Sequence, residues 1–550
     1  MSTDIEVQVV VVGAGPVGLT LAMDLASRGV AVCVIERRNP DDPAPVKCNH
    51  TSARSMEIFR RLGVAEALRS AGLPADYPHS VSYRTSSVGK ELANIPIPSR
   101  RDRYTMMSGP DCGWPTPEPP HRINQIFLEP LLAKHAARFD RLEILYGTGF
   151  ESFSQDGEGV SLRCLRLASN EPLTIKCQFM IGCDGGKSAI RKQIGARFEG
   201  DPIIQRCQST YIRAPKLLSM MPEGPAWAIF SLNPKRCGNM YAIDGSERWL
   251  IHNYLKDDEP DFDSVNRDKC IRDILGVGAE FEYEVLSTED WYGRRLVANR
   301  FRNNRVFLCG DSAHIWVPYA GYGMNAGIAD AANLAWLIAA YLDGWGDEGI
   351  LDAYERERQP ITQQVSHFVM NHCIEMGRQR REVPGTIEED SAEGEAVRSA
   401  LGKKAYELNV QQYACKGLNF GYFYDKSPII EYDGAAQPAY SMAEYTPSTV
   451  PGCRTPHVWM ADGRSLYDAM GNNHALLRLD PKIDVSPLLS AASGRGMPLN
   501  VIDLDPDESS GLYDCSLVLS RPDQHVAWRG NQVPDKAEDL IAKLCGSRTK

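Results

Sequence analysis

The chain has 550 residues, 43% of them hydrophobic and 24% charged, and a formal net charge of -11. That length exceeds what one hydrophobic core usually supports, so two or three domains are expected, and the acidic balance argues against nucleic acid or an anionic membrane surface as a partner. Fifteen scattered cysteines with no Cys-x-x-Cys pair argue against a zinc module or a disulfide scaffold and suit a reduced, cytoplasmic protein.

The first residues, "MSTDIEVQVVVVGAG", carry acids where a secretory leader carries bases, so no leader is expected. The best apolar run, Ala335 to Leu342, is too short for a membrane span and reads as one buried helical face. A strand is predicted over Val7 to Val12, then Gly13-x-Gly15-x-x-Gly18 with Pro16 inside it, a helix through Ser27, a second strand from Val30 to Ile35, and Glu36 closing it. In this order Gly13 makes the tight turn, Gly15 lets a pyrophosphate approach the backbone, Gly18 lets helix and strand pack, and Glu36 accepts from a ribose hydroxyl. Arg37 and Arg38 either attract a 2′-phosphate or hold the adenosine end. The motif specifies a dinucleotide without saying which.

Further along, "KCNHTSARSMEIF" leads from a loop containing His50 into a helix beginning near Ser55. The segment "FMIGCDGGKSAIRKQIG" is a strand ending in Asp184 and Gly185, which alone reads as a turn. Residues from Gln205 to Tyr292 alternate apolar and polar in "YIRAP", "AWAIFSL", "NMYAIDG" and "RWLIHNYL", the pattern of sheet strands with one dry face. Together with His79 to Pro98 they are candidates for a substrate pocket. Tyr211, Tyr241 and His252 are the residues there able to polarise a phenol.

A buried strand over Val306 to Cys309 then runs into "GDSAHIWVPYAGYGMNAGIADAANLAW". So much turn chemistry ahead of a helix start suits an anionic ligand. One ligand reaching both this loop and the glycines near residue 15 must be long; FAD is, whereas NAD leaves the second loop without a task. "EVPGTIEEDSAEGEAVRS" reads as a linker or an exposed helix pair. From about Pro451 another unit begins, in which Cys453, Cys515 and Cys545 are too far apart in sequence to form a thioredoxin redox pair.

Together the glycine motif with its terminal acid, "CDGGKSAIRKQIG" and "RVFLCGDSAHIWVPYAGYGMNAGIADAANLAW" resemble the FAD-dependent aromatic hydroxylases, single-component flavoprotein monooxygenases that include p-hydroxybenzoate hydroxylase and phenol hydroxylase. "SARSMEIFRRLG", "NQIFLEPLL" and "ILDAYERERQP" are lesser matches. The resemblance covers roughly residues 5 to 365, and the last hundred residues resemble the thioredoxin-like domain of larger members. It implies an α/β fold in which a Rossmann-like FAD-binding domain (1–80, 105–195 and 293–381) is interleaved with a mixed-sheet substrate domain (81–104 and 196–292). A linker or helical segment (382–450) and a thioredoxin-like domain (451–550) follow.

It also implies the chemistry: NADPH or NADH reduces FAD, O2 adds to give a flavin C4a-hydroperoxide, and one oxygen passes to a phenol-like aromatic ring. By matching position, Asp311 after Gly310 binds the ribityl chain, Gly323, Met324 and Asn325 meet the pyrimidine end of the flavin, and Gly321 and Asp184 belong to the cofactor-binding set. Pro318 presents a carbonyl beside the hydroxylation site, Arg54 lies near the flavin, and Gln125 lies beside the pyrophosphate. Phenol hydroxylase carries an acidic base close to where this chain has Asn49 and His50, so a neutral His50 is the candidate base. No second dinucleotide fingerprint is present, leaving the nicotinamide choice open. The expected partner is a small aromatic substrate, with a homodimer as one assembly; nucleic acid and a membrane span are not expected. Epoxidation, Baeyer-Villiger oxygenation or loss of a nitro or halo substituent on a polyketide-like or substituted ring are alternatives, and a non-catalytic flavin-binding scaffold is the alternative of another class.

Overall fold

The structure, a computed structural model, describes residues 3–505 and 511–547. Its first sheet forms where the longest uninterrupted apolar runs lie. Val9 to Val12 are buried on both faces, as a central parallel strand requires. Thr3–Val12 sits between Glu171–Gly182 and Val32–Ile35, with Val9 opposite both Phe179 and Val32. The parallel order continues outward to Val306–Leu308 on one side and Leu142–Leu145 on the other. All the predicted motif strands therefore lie side by side, and their carboxyl ends open on the same edge.

Helix Pro16–Ser27 starts with proline at its first turn and Gly15 as its N-cap, an arrangement in which proline forfeits no helical hydrogen bond. It packs against helix Tyr322–Leu342, buried along nearly its whole length.

The second sheet has eight strands in the order His314–Ile315, Glu284–Ala298, Phe198–Arg213, Arg248–Tyr254, Gly238–Ala242, Ala228–Ser231, Val81–Arg84 and Glu91–Ile95. The segments around residue 85 and from 198 onward thus share one sheet, which runs on to Ala298, past Tyr292. The short strand His314–Ile315 comes from the glycine-rich loop itself and pairs with Leu296 and Val297, so the two sheets are joined at the loop.

Beyond the 34-residue helix Glu348–Arg381, the acidic segment forms a 3-10 turn, Gly385–Glu388, and a long helix, Ala392–Tyr413. Ile387, Leu401, Ala405 and Tyr413 are buried in the second core, so this segment is structural rather than a linker. Its buried residues recur one turn apart among many charges, a stripe too narrow to stand out by composition. The carboxy-terminal unit is a thioredoxin-like four-stranded sheet with Leu499–Asp503 parallel to His474–Arg478, which is antiparallel to Leu517–Ser520, itself paired with Val526–Gly530. All fifteen cysteines are free. Leu476, Leu519 and Ile541 join the core of the first sheet, so the carboxy-terminal unit is fused to it. No helix among the described residues is long and apolar enough to cross a membrane.

Candidate active site

A cavity of about 490 Å³ lies between the carboxyl edge of the first sheet and one face of the second. Its floor on the first side is built from glycine. At Gly13, φ is +114° and a Cβ would come 2.4 Å from the Cys183 carbonyl oxygen; at Gly18 it would come 1.9 Å from the Gly13 carbonyl oxygen. Both positions require glycine for packing inside the protein. Gly15 differs, because a Cβ there meets no protein atom within 4 Å and the residue lines the cavity with Pro16, Val17 and Gly18. Space kept open in front of backbone N–H groups at a helix start is an anion site.

The second loop contributes Asp311, Pro318, Gly321, Gly323 and Met324 to the lining. Asp311 sits in a 3-10 turn and has no protein hydrogen-bond partner among the described residues. Burial raises its carboxyl, and His314 and Lys47 pull it back down. Gly321, with φ at +60°, packs against His50, where a Cβ would meet the His50 Cβ at 2.9 Å. The Pro318 carbonyl accepts from Gly321 N–H at 3.2 Å. Gln125 opens helix Gln125–Ala136 at the cavity edge and donates to Glu129 at 2.9 Å.

Other residues of the three motifs lie outside the cavity lining. Glu36 is buried, accepts from Ala14 N–H at 2.8 Å and from Arg38 N–H at 2.9 Å, and lies outside the cavity lining; it fixes the glycine turn. Arg37 is exposed. Asp184 accepts from Ala189 N–H at 2.8 Å with one carboxylate oxygen, at the start of helix Ala189–Gln193, while its buried Oδ1 has no hydrogen-bond partner among the described residues. Gly310 abuts Val17 behind the cavity.

Two residues assigned by matching position are held by contacts within the protein. Asn325 accepts from Ser52 N–H at 2.8 Å and donates to the His50 carbonyl at 3.1 Å, tying two loops together. Arg54 is buried beneath them, donating to Glu57 at 3.0 Å, to the Asp523 carbonyl at 2.6 Å and to Gln524. The buried acid on its own helix and the carbonyl of the carboxy-terminal unit draw it there.

The opposite wall is aromatic. Trp227, Tyr241, Tyr254, His252 and Trp291 line it from neighbouring strands, with Tyr413 from the long helix. Tyr241 stands edge-on to His252 at 5.7 Å and tilts against Trp227 at 5.4 Å. Tyr211 is absent from this wall. It pairs with Leu250 of strand Arg248–Tyr254, on the opposite side of that strand from Tyr241, beside Arg248. Trp291, Tyr413 and Gln412 carried no motif; only the two-residue strand alternation and the spacing of the long helix pointed toward them.

The wall holds little basicity. Burial brings His252 down to about 4, so it cannot retain a proton drawn from a phenol near ~10. Burial raises the Tyr241 hydroxyl, which stays protonated. His50, also expected as a base, is excluded from that role by its hydrogen bond. Arg122 donates to His50 Nδ1, and a guanidinium has no acceptor; Nδ1 therefore keeps its lone pair for Arg122 and the ring proton sits on Nε2. Burial, then Arg122, Arg103 and His121, hold His50 well below the usual imidazole range. The carboxylates lining the cavity are Asp311, on the flavin-loop side, and Glu289, which pairs with Lys47 at 2.8 Å.

Against known proteins, the FAD binding domain family matches residues 6–369 and the aromatic-ring hydroxylase carboxy-terminal domain matches residues 448–547. The chain belongs to this family of FAD-dependent aromatic-ring monooxygenases. The FAD-dependent monooxygenase apdD of Emericella nidulans is 28% identical over 98% of this chain and 90% of its own length. Phenol 2-monooxygenase of a Pseudomonas species is 27% identical over 98% and 93%. Among solved structures, the rebeccamycin biosynthetic enzyme RebC with reduced flavin superposes with a TM-score of 0.90 at 30% identity over 100% of both chains.

FAD is the cofactor, and monooxygenation of aromatic or polyketide substrates is the activity class, with O2 and a reduced nicotinamide implied by family membership. The residues fit the group: backbone is kept clear at Gly15, and Asp311 and the orphaned Asp184 Oδ1 await partners.

Proposed function

We propose that this protein hydroxylates a phenol-like aromatic compound of more than one ring, consuming O2 and either NADPH or NADH. The observation that carries this reading is the wall of Trp227, Tyr241, Tyr254 and Trp291 facing the two glycine-rich loops across one cavity. Flat aromatic faces bind flat rings, and a pocket shared with a cofactor site brings substrate to the reacting group. When bound, FAD supplies electron transfer from the nicotinamide and activation of oxygen.

The chain's own residues do the rest. Gly15 leaves room for a pyrophosphate at the start of helix Pro16–Ser27, a start that Gly13 and Gly18 shape by close packing, and Gln125 borders it. Asp311 accepts from ribityl hydroxyls. The start of helix Tyr322–Leu342, at Gly323 and Met324, would offer positive partial charge to a bound flavin that is anionic when reduced. Trp291 is anchored by its indole N–H on Ser209 at 2.9 Å, and Tyr254 by its hydroxyl on Asn239 at 2.6 Å; fixed in this way, the two rings exclude water from the reaction. Fifteen free thiols suit a cytoplasmic setting.

The test is oxidation of NADH and NADPH under air by the purified flavoprotein across a panel of one-, two- and three-ring phenols, with products identified by mass. Ligand-stimulated oxidation that adds one oxygen to a fused-ring phenol is expected. Addition only to one-ring phenols would overturn the choice of substrate, and absence of flavin reduction would favour the scaffold alternative.

A further inference from the structure

We infer that His50 is a fixed hydrogen-bond donor for an oxygen of the substrate that is already ionised, so that the enzyme selects the phenolate from solution. This deepens the function proposed above and rests on it.

Three observations carry the inference. First, the orientation of His50 is settled on every side. Its Nδ1 accepts from Arg122, its carbonyl accepts from Asn325 at 3.1 Å and from the Cys48 thiol at 3.2 Å, and Gly321 packs against its Cβ and Cδ2. Second, Arg122 cannot leave. It is 1% exposed, pairs with Asp111 at 3.5 Å, and lies over the Trp227 ring at 4.8 Å. Asp111 is held in turn by Arg103 at 2.8 Å and by the Trp114 indole at 2.8 Å. The chain Asp111, Arg122, His50 therefore ends in an Nε2–H that has no protein partner among the described residues on a ring that lines the cavity. Third, Trp227 joins this chain to the aromatic wall, contacting Tyr241 at 5.4 Å and Tyr413 at 6.1 Å. Both tyrosines line the cavity; the Tyr241 hydroxyl has no hydrogen-bond partner among the described residues, whereas the Tyr413 hydroxyl is hydrogen-bonded to Tyr83.

The groups around His50 are Arg122, Arg103, His121 and the Cys48 thiol. None of them takes a proton from a phenol. The donors His50 and Tyr241 instead match an oxygen that needs hydrogen bonds and offers no proton. The phenol O–H bond breaks before binding, its proton goes to water or buffer, and the electron pair stays on the oxygen that His50 receives. The Asp111, Arg122, His50 chain performs no proton transfer; it fixes the tautomer.

A test uses the oxidised FAD-bound enzyme and 1,2-dihydroxyanthraquinone, whose neutral and ionised forms differ in visible spectrum, with 4-nitrophenol as a smaller second probe. The bound probe should be ionised at a pH where most of the free probe is neutral, and affinity should fall about tenfold per pH unit below the probe's own pKa. His50→Leu should weaken binding by about tenfold or more, as expected for loss of a hydrogen bond to a charged group. His50→Gln should bind almost as wild type, because the amide oxygen can accept from Arg122 while the amide NH2 faces the cavity. Tyr241→Phe, which removes one oxygen atom, should weaken binding without disturbing the fold.

A base at His50 predicts the opposite pattern, with glutamine as harmful as leucine. That result, a probe bound in its neutral form, or no binding of either probe would overturn the inference. Because these are equilibrium measurements without a reductant, they stand apart from the product analysis that tests hydroxylation itself.

Discussion

Arg54, just past the cavity loop, donates to the side-chain oxygen of Gln524, 470 residues away in the carboxy-terminal unit. Gln524 is buried with φ at +64°, a conformation costly for a residue with a side chain and sustained only where surroundings demand it. The same turn places Asp523 against Asn333 at 3.1 Å and Arg521 against Glu357 at 2.6 Å. Through Ser52 and Ser55, which hold Asn325, the helix of Arg54 fixes the loop that lines the cavity. Arg54→Met should destabilise the protein by about 3 kcal/mol or more, as does breaking a buried charged network on one side, and should weaken FAD retention as well. Thermal unfolding with parallel flavin titration checks both effects, and unchanged values would mean the contact is idle.

Gly15 and Gly18 separate cofactor binding from folding. A methyl at Gly18 collides with the Gly13 backbone at 1.9 Å, whereas at Gly15 it enters open space. Gly18→Ala should lower both apoprotein stability and FAD content. Gly15→Ala should leave the apoprotein melting temperature nearly unchanged while raising the FAD dissociation constant by about tenfold, because the methyl occupies the path of the pyrophosphate. Full flavin occupancy in purified Gly15→Ala would remove the pyrophosphate from this position.

The contrast between these residues shows what the sequence made legible. The glycines, Asp311 and the order of the strands were readable because local geometry dictates them: a turn, a helix start and a buried parallel strand leave patterns within a few residues. The contacts of Arg54 and Asn325 are not legible in the sequence, because their partners, Gln524 and Ser52, are chosen by the tertiary fold. His50 was found as a cavity residue, but its role depends on Arg122, 72 residues on, which no spacing rule connects to it. Tyr413 went unseen because the helix that delivers it is mostly polar. Tyr211 and Tyr241 look equivalent in the alternation, and they share one level in the sheet, both opposite Leu250; only their positions across the sheet, on either side of strand Arg248–Tyr254, separate them.

Asp311 faces the cavity without a protein partner among the described residues, so its removal should leave folding intact. Asp311→Ala should raise the FAD dissociation constant by about ten- to a hundredfold, the range for a lost hydrogen bond to a charged group. Recovery of flavin fluorescence on dilution measures release directly. Retention equal to wild type would show that the ribityl chain lies elsewhere.

Acid should unfold the protein in two stages set by different groups. Burial holds His79 down to about 3, His372 to about 4, His457 to about 4 and His474 to about 3. These rings stay neutral in the folded chain while an unfolded chain binds protons near ~6.5. Their contribution is therefore complete above about pH 6.5 and is lost as pH falls, at about 1.4 kcal/mol per pH unit for each ring, until the folded rings themselves protonate. Asp330 acts lower. Burial alone would raise it, but His314 and Arg358 outweigh burial and hold it below the usual carboxylate value; its contribution is present above ~3.9 and is lost only as pH falls through the folded value. The melting temperature should thus drop steeply between about pH 6.5 and about pH 4, before the carboxylates titrate. A plateau through that window, with loss only below it, would mean that the histidines are hydrated and that carboxylates alone govern acid stability. Replacing His474 by Gln, which cannot bind the proton, should make the slope shallower by one proton's share.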